Sequence, residues 1–263
     1  MRKENAEHTL IFADMLGFAA LTEDFPKHLI HSGPDEYGFQ HTSSAESFNT
    51  FNRFHRILDQ SVFQHSLNGS VCALLFSDCA FLEFGNSLLA AVAATELMRN
   101  FILEKIPVRM GIGKGTFYPF MFSTELRDST IVSRSRFIGT AVVYAHAAEQ
   151  CGGRGLRIFL HPSLRPDIAT IQRRIRTMAL AKPYRNACWE LDFLYETKPA
   201  QEKPSAEEED RSLFNAVLEM QAIAPKSVHR QYTQTITAMN GMRRENSRPA
   251  IRVRSRSNKE HAE

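Results

Sequence analysis

Residues 9–18 read Thr-Leu-Ile-Phe-Ala-Asp-Met-Leu-Gly-Phe. Apolar or small residues run directly into one carboxylate, Asp14, which predicts a buried strand that ends at a functional edge. Gly17 then permits a tight turn. In such a turn the amides of Gly17 and Phe18 can face an anion, while Asp14 and a neighbouring carbonyl oxygen can hold Mg²⁺ or Mn²⁺. The same pattern occurs in an ordinary turn, in which Asp and Gly stabilise the backbone and bind no ligand.

The composition fits one folded domain with an appendage, because 43% of the 263 residues are apolar. The formal net charge is only +3, so we expect no nucleic-acid partner. The cysteines lack the paired spacing of a zinc site, and no secretory signal peptide is evident, so we expect reduced thiols in a cytoplasmic protein. No apolar run reaches about 18 residues, so we expect no transmembrane segment.

Apolar periodicity predicts alternating strands and helices. Residues 45–64 carry apolar side chains every three or four positions, which indicates an amphipathic helix. Two apolar runs, 71–76 and 81–84, flank Asp78 and indicate a hairpin with an acidic tip. Further segments follow in order: a helix over 87–103, a strand over 108–113, a helix between Gly139 and Gly152, and strands over 156–160 and 188–193. This order predicts an α+β fold with an antiparallel or mixed sheet and helices on one face.

Glycines alternate at positions 111, 113 and 115 of the 108–113 strand and its continuation. Such glycines admit the close approach of another backbone or of a nucleotide, and they also suit a twisted edge strand. The sequence leaves these readings open.

Two stretches depart from the alternating pattern. Residues 23–44 contain prolines and glycines, which predicts an irregular excursion that serves as a lid or a dimer arm. Residues 198–210 are charge-dense and end in Glu-Glu-Glu-Asp, which predicts a solvated linker. We therefore divide the chain into a folded domain (1–197), a linker (198–210) and a helical segment whose basic tail, from Arg243, is expected to be disordered (211–263).

Four motifs occur in sequence: Phe-Ala-Asp-Met-Leu-Gly-Phe at 12–18, Phe-Ser-Asp-Cys at 76–79, Val-Arg-Met-Gly-Ile at 108–112 and Gly-Thr-Ala-Val at 139–142. Through these motifs, in the same order as in the family, residues 8–195 resemble the catalytic domain of class III nucleotidyl cyclases. The resemblance implies an α/β sandwich with a ferredoxin-like βαββαβ core and a mixed, mostly antiparallel sheet. It also implies a head-to-tail homodimer whose sites are built from both chains.

The resemblance also implies a two-metal reaction on a nucleoside triphosphate. By this resemblance Asp14 and Asp78 hold two Mg²⁺ or Mn²⁺ ions per site, and Met15 contributes its carbonyl oxygen. The ribose 3′-oxygen attacks the α-phosphorus and pyrophosphate leaves. Two cations about 3.5–4 Å apart can stabilise both the attacking and the leaving oxygen.

Two positions depart from the family pattern. Val143 stands where family members use an Asn to orient the ribose, and Ala147 stands where they use an Arg on the transition-state phosphate. Loss of one such donor reduces the rate by about 10²–10³-fold. His146 and Arg154 are nearby candidates for the missing charge, as is Arg136. A catalytically silent cyclase-like module, which senses a nucleotide or pairs with another subunit, is the alternative.

The base-reading positions also differ from those of purine cyclases. Leu74 replaces the usual Lys or Glu, and Arg136 replaces the usual Asp, Thr or Cys. Arginine donors match the O4 and O2 acceptors of uracil, whereas the amino group of cytosine needs an acceptor. In these features the chain resembles the Pycsar pyrimidine cyclases, bacterial antiviral enzymes whose cyclic UMP or cyclic CMP activates a separate effector protein. We therefore expect UTP, then CTP, as substrate, with a purine cyclase as the alternative.

Overall fold

The computed structural model describes residues 7–18, 31–34, 40–42, 46–67, 71–125, 131–151, 153–171, 175–177, 188–194, 206–245 and 249–251. Its strands are β1 (His8–Met15), β2 (His31–Pro34), β3 (Gln40–Thr42), β4 (Cys72–Leu75), β5 (Cys79–Phe84), β6 (Val108–Gly115), β7 (Tyr118–Glu125), β8 (Ile131–Ile138), β9 (Ile158–Leu160), β10 (Ile175–Thr177) and β11 (Trp189–Leu191). Its α-helices are α1 (Glu46–Ser66), α2 (Ser87–Leu103), α3 (Thr140–Glu149), α4 (Ile168–Ile171), α5 (Ala206–Ile223) and α6 (His229–Glu245).

Seven of the described strands form one sheet in the order β10-β11-β9-β6-β1-β5-β4. Strands β6 and β9 pair in parallel, and the other described pairs of this sheet are antiparallel. Apart from the β2–β3 ribbon, which lies between β1 and α1, the elements β1, α1, β4, β5, α2 and β6 follow in the order βαββαβ. Their four strands lie in the ferredoxin-like order β6-β1-β5-β4. The predicted α+β fold with a mixed, mostly antiparallel sheet is confirmed.

Strand β1 separates two apolar layers, because successive side chains of a strand point to opposite faces. Ile11 and Ala13 belong to the large core that includes Phe54 of α1 and Leu97 of α2. Phe12 belongs to a smaller cluster on the other face, which residues of α3 cover. The expectation that all helices lie on one face was therefore wrong, since α3 packs on the face opposite α1 and α2.

The glycines of β6 allow α3 to lie directly on the sheet. A Cβ atom added at Gly111 would come within 2.0 Å of the Ala145 carbonyl oxygen, and one at Gly113 within 2.4 Å of the Ala145 nitrogen. Strand β6 lies inside the sheet, between β1 and β9. Of the alternatives that the sequence left open, the close approach of another backbone is therefore the one observed, and the edge-strand explanation was wrong.

The C-terminal helices belong to the same core as the sheet. Phe214 of α5 and Met239 of α6 lie in the large apolar cluster with Ile11 of β1. Both helices therefore pack against the chain's own core.

The acidic run at 207–210 is part of α5, so the prediction of a solvated linker was wrong for these residues. Acidic side chains are favourable in the first turn of a helix, where the helix dipole is positive. Asp210 is buried and forms an ion pair with Arg243 of α6, which has no exposed surface. Glu207 pairs with the same guanidinium at 2.6 Å. The expectation that the disordered tail begins at Arg243 was also wrong.

Other predictions fall partly or wholly outside the described residues. The irregular excursion predicted at 23–44 contains an antiparallel ribbon of β2 and β3, and the rest of it is not among the described residues. Residues 198–205 of the predicted linker and 252–263 of the predicted tail also lie outside them. Among the described helices, none combines the length and the apolar character needed to cross a membrane.

Candidate active site

Asp14 and Asp78 lie at one edge of the sheet, where β1 ends and the β4–β5 hairpin turns. In the antiparallel pairing of β1 with β5, Asp14 lies opposite Cys79, the residue after Asp78. The backbone N–H of Met15 donates to the carbonyl oxygen of Asp78 at 2.8 Å. The Ser77 hydroxyl donates to the Asp78 carboxylate at 3.0 Å. The structure therefore brings together two carboxylates that are distant in the sequence.

The surroundings of Asp14 disfavour a negative charge. Burial raises the pKa of Asp14, and the charges of Glu149 and Asp78 raise it further, while the charge of Arg109 opposes them; the resulting pKa is about 6. A bound cation would reverse this balance, because an opposite charge favours the ionised form of a carboxylate. The electrostatics of this edge therefore suit a cation.

The oxygen donors at this edge are of the kind that Mg²⁺ and Mn²⁺ prefer. They are the two carboxylates and the Met15 carbonyl oxygen, and a magnesium site commonly uses one or two carboxylates together with substrate phosphates. In the part of the chain that the structure describes, no group of three or more His, Cys, Asp or Glu side chains is arranged to hold a metal ion. These donors therefore suit metal ions that a bound triphosphate would also coordinate, rather than a site in which the protein supplies every ligand.

An ion pair beside Asp14, between a partly buried arginine and a buried glutamate, was not predicted. Arg109 lies opposite Asp14 in the pairing of β1 with β6. Its guanidinium pairs with Glu149, the fully buried last residue of α3, and also reaches the Gly153 carbonyl oxygen at 3.5 Å. The pair fixes the end of α3 next to Asp14. The sequence signal was a charged residue in an apolar strand, but its partner could not be read from the strand alone.

The turn after β1 has the predicted form. Gly17 adopts φ +81°, in the left-handed region that favours glycine. The N–H of Leu16 donates to the Pro107 carbonyl oxygen at 2.7 Å, which ties the turn to the start of β6. The Phe18 ring lies 6.5 Å from the Phe51 ring of α1. Gly17 and Phe18 therefore lie directly beyond the strand end that carries Asp14.

Leu74 lies in an apolar cluster, and Phe137 rather than Arg136 approaches it. Leu74 pairs with Phe81, whose ring lies 5.5 Å from that of Phe137. Neighbouring residues of a strand point to opposite faces, so Arg136 points away from Leu74. Arg136 is exposed. The two predicted base-reading positions are thus close in the fold, but their side chains diverge within one chain.

The two positions that depart from the family pattern lie on the solvent side of α3. Val143 is 62% exposed, and Ala147, one helical turn later, is also exposed. Of the candidate replacements, His146 lies next to the sheet, with its ring 5.3 Å from that of Phe12, two residues before Asp14. Arg154 is exposed and lies beyond Gly153. His146 is therefore the candidate that shares the face of β1 on which Asp14 lies.

Comparisons with known proteins identify the fold. No protein-family model matches the chain, and no curated protein matches it. Among solved structures, the chain is similar to the non-canonical dimeric guanylyl cyclase domain of the RhoGC fusion protein from the aquatic fungus Blastocladiella emersonii. The identity is 14% and the TM-score 0.50, over 72% of this chain and 95% of that chain.

Two further structures give the same result. One is the guanylate cyclase domain of RhGC from Catenaria anguillulae in complex with GTP, with 13% identity and a TM-score of 0.50 over 72% of this chain and 99% of that chain. The other is the catalytic core of a rhodopsin-guanylyl cyclase with converted specificity in complex with ATPalphaS, with 14% identity and a TM-score of 0.51 over 72% and 97%. The strand order and these similarities together show that the chain has the fold of a class III nucleotidyl cyclase catalytic domain.

Proposed function

We propose that the protein is a nucleotide cyclase, which converts a nucleoside triphosphate into a 3′,5′-cyclic nucleotide and pyrophosphate. The meeting of Asp14 and Asp78 at one sheet edge, tied by the hydrogen bond from Met15 to Asp78, is the observation that carries the proposal. The fold supports it, because similar domains are cyclases. The ion pair between Arg109 and the buried Glu149 supports it further, since it holds α3 against this edge.

Each residue at the edge has a distinct role in this proposal. Asp14, Asp78 and the Met15 carbonyl oxygen would hold two Mg²⁺ or Mn²⁺ ions. When bound, these ions would stabilise charge on the attacking and the leaving oxygen. The turn at Gly17 and Phe18 would place backbone amides next to the triphosphate, where they oppose its negative charge. His146 would offer a donor beside Phe12, in place of the donor that Ala147 lacks.

A catalytically silent module is the second candidate, and one observation favours it. Val143 and Ala147 present only apolar groups on the exposed face of α3. Two missing donors, each worth about 10²–10³-fold in rate, would leave little activity without replacement. Such a module would bind the nucleotide at the same edge and release no cyclic product.

The base preference that we propose is UTP, followed by CTP. Leu74, which lies in an apolar cluster, supports it, because its side chain offers no hydrogen bond to a purine. Arg136 would supply donors to the uracil carbonyl oxygens. A purine cyclase is the alternative. We further propose that the cyclic nucleotide acts as a second messenger in antiviral defence, through a separate effector protein that it activates.

We also propose that the enzyme works as a homodimer. One of the similar domains is described as dimeric. The exposed apolar side chains of Ile138 and Val143, which are 64% and 62% exposed, support an interface that includes α3. Light scattering should then give twice the monomer mass at concentrations where the enzyme is active, and a monomer under those conditions would contradict the proposal.

The deciding experiment offers each of ATP, GTP, CTP and UTP separately to the purified protein with Mn²⁺ and identifies the products by mass. UTP should give the most cyclic product. Arg136→Ala should lower UTP turnover, whereas the matched change of another exposed arginine, Arg165→Ala, should not. A preference for ATP or GTP would keep the cyclase and reject the pyrimidine assignment. Nucleotide binding without any product would instead favour the silent module.

A further inference from the structure

Two cysteines that are distant in the sequence form a buried thiol pair. Cys151 directly follows the cap of α3, and Cys188 directly precedes β11. Together with Ala148 and Phe159 they make a small buried cluster, in which Cys151 is 3% exposed and Cys188 is 6% exposed. The structure therefore places two free thiols together in one buried cluster. Neither cysteine has a role in the proposed reaction.

Positive charges lie beside this pair. The Arg157 guanidinium lies over the Phe159 ring, 5.1 Å from its centroid, and Phe159 belongs to the cysteine cluster. The hydrogen bond with Cys188 lowers the pKa of the Cys151 thiol, and the charges of Arg157 and Arg109 act in the same direction against burial. The same hydrogen bond and burial raise the pKa of Cys188. Cys151 is thus the nucleophile, because the thiolate is the reactive form of cysteine, and Cys188 keeps its proton.

We propose that Cys151 and Cys188 are a modification site, at which hydrogen peroxide oxidises the two thiols to one disulfide. The Cys151 thiolate attacks the peroxide oxygen and becomes a sulfenic acid, while hydroxide leaves and takes up a proton to form water. The Cys188 sulfur then attacks the Cys151 sulfur, the S–S bond forms, and a second water leaves with the Cys188 proton. The two thiols lose two electrons, and the peroxide accepts them.

The disulfide would join the end of α3 to the start of β11. Both attachment points adjoin an ion pair whose carboxylate is buried. Glu149 pairs with Arg109, and Glu190 of β11 accepts two hydrogen bonds from Arg157, at 2.6 and 2.7 Å. A covalent link here closes a loop that contains β9, α4 and β10. The inference does not depend on the proposed cyclase activity, because the bond can be detected without any turnover.

The test treats the full-length, reduced protein with hydrogen peroxide, alkylates the remaining thiols in denaturant, and maps the peptides by mass. We expect a peptide pair joined through Cys151 and Cys188, lighter by two hydrogens, which separates after treatment with dithiothreitol. Cys72 and Cys79 should carry the alkyl group. Cys72→Ser is the matched control and should form the same link. Cys188→Ser should form no link and should leave a sulfenic acid on Cys151 that dimedone traps.

Several results would overturn the proposal. They are full alkylation of both Cys151 and Cys188 after oxidation, a link that involves Cys72 or Cys79 instead, and oxidation of Cys151 to sulfinic acid without a link. If Cys188→Ser does not fold, the mapping of the unsubstituted protein decides alone, since it needs no variant.

Discussion

The position of Asp14 explains what its replacement should do. Asp14 lies at the end of a strand, is only partly buried, and is close to other negative charges. A neutral side chain of the same size should therefore not destabilise the fold. We expect Asp14→Asn, and likewise Asp78→Asn, to reduce cyclic-nucleotide formation by about 10²–10³-fold or more, with an unchanged thermal midpoint. Product mass analysis and circular dichroism measure the two effects.

The matched control for these carboxylates is Asp59→Asn, which changes an exposed carboxylate of α1. It should alter neither activity nor stability. Metal-dependent turnover at the unsubstituted rate in either Asp14→Asn or Asp78→Asn would rule out the metal-binding role of that residue.

His161 couples stability to pH. Its Nδ1 accepts a hydrogen bond from the Ser163 N–H at 3.0 Å, its ring stacks on Tyr144 at 4.3 Å, and burial lowers its pKa below the usual histidine value of about 6.5. Below that value the unfolded state binds more protons than the folded state, so the free energy of unfolding falls as the pH falls. His161→Asn keeps a capping acceptor without this titration.

Urea unfolding at about pH 7.5 and about pH 5.5 tests the contribution of His161. The unsubstituted protein should lose more stability on acidification than His161→Asn does. An equal loss in both proteins would show that other groups account for the pH dependence. His161→Ala, which removes the cap itself, should be less stable by about 1 kcal/mol at either pH.

At the scale of elements, the contact between β6 and α3 positions the site. Gly111→Ala would place a methyl group 2.0 Å from the Ala145 carbonyl oxygen and 2.4 Å from the Glu149 nitrogen, so the helix must move. Overpacking of this kind lowers the free energy of unfolding by about 1–3 kcal/mol or more. Activity should fall as well, because Glu149 would shift beside Asp14. Gly85→Ala, which meets nothing within 4 Å, is the control. Equal stability of the two variants in urea unfolding would contradict the close contact.

Local periodicity predicted the elements whose pattern lies within one window of sequence. Helix α1 was predicted at 45–64 and is Glu46–Ser66, and the hairpin around Asp78 was predicted in place. The start of α5 was missed because Asp210 pairs with Arg243, a residue that lies far along the chain. The role of Arg109 was missed for a similar reason. Its partner, Glu149, becomes adjacent only because the glycines of β6 let α3 settle on the sheet.

At the scale of the whole molecule, the C-terminal helices are held by a buried cation. Arg243 has no exposed surface, pairs with Asp210 and Glu207, and donates to the Pro249 carbonyl oxygen at 2.8 Å. Removal of one partner of a buried ion pair typically lowers stability by about 3–5 kcal/mol. We expect Arg243→Met to do so in urea unfolding, whereas Arg244→Met, at the exposed neighbouring position, should change little. A small effect of Arg243→Met would contradict the structural role.

The shared core predicts that the domain and its C-terminal helices unfold together. The single tryptophan, Trp189, lies in β11 and packs against the large core, whereas α5 and α6 contribute to the far-ultraviolet signal. Fluorescence and circular dichroism should therefore report one coincident urea transition. An earlier transition by circular dichroism would show that the helices detach while the sheet remains folded.

The exposure of Val143 and Ala147 has a consequence for how the protein can evolve. Both positions face away from the core, so their substitution leaves the packing of α3 on β6 untouched. Substitutions at these two positions can therefore arise without loss of folding stability. Catalytic capacity and folding stability can change separately in such a protein, and Val143→Asn with Ala147→Arg measures that independence.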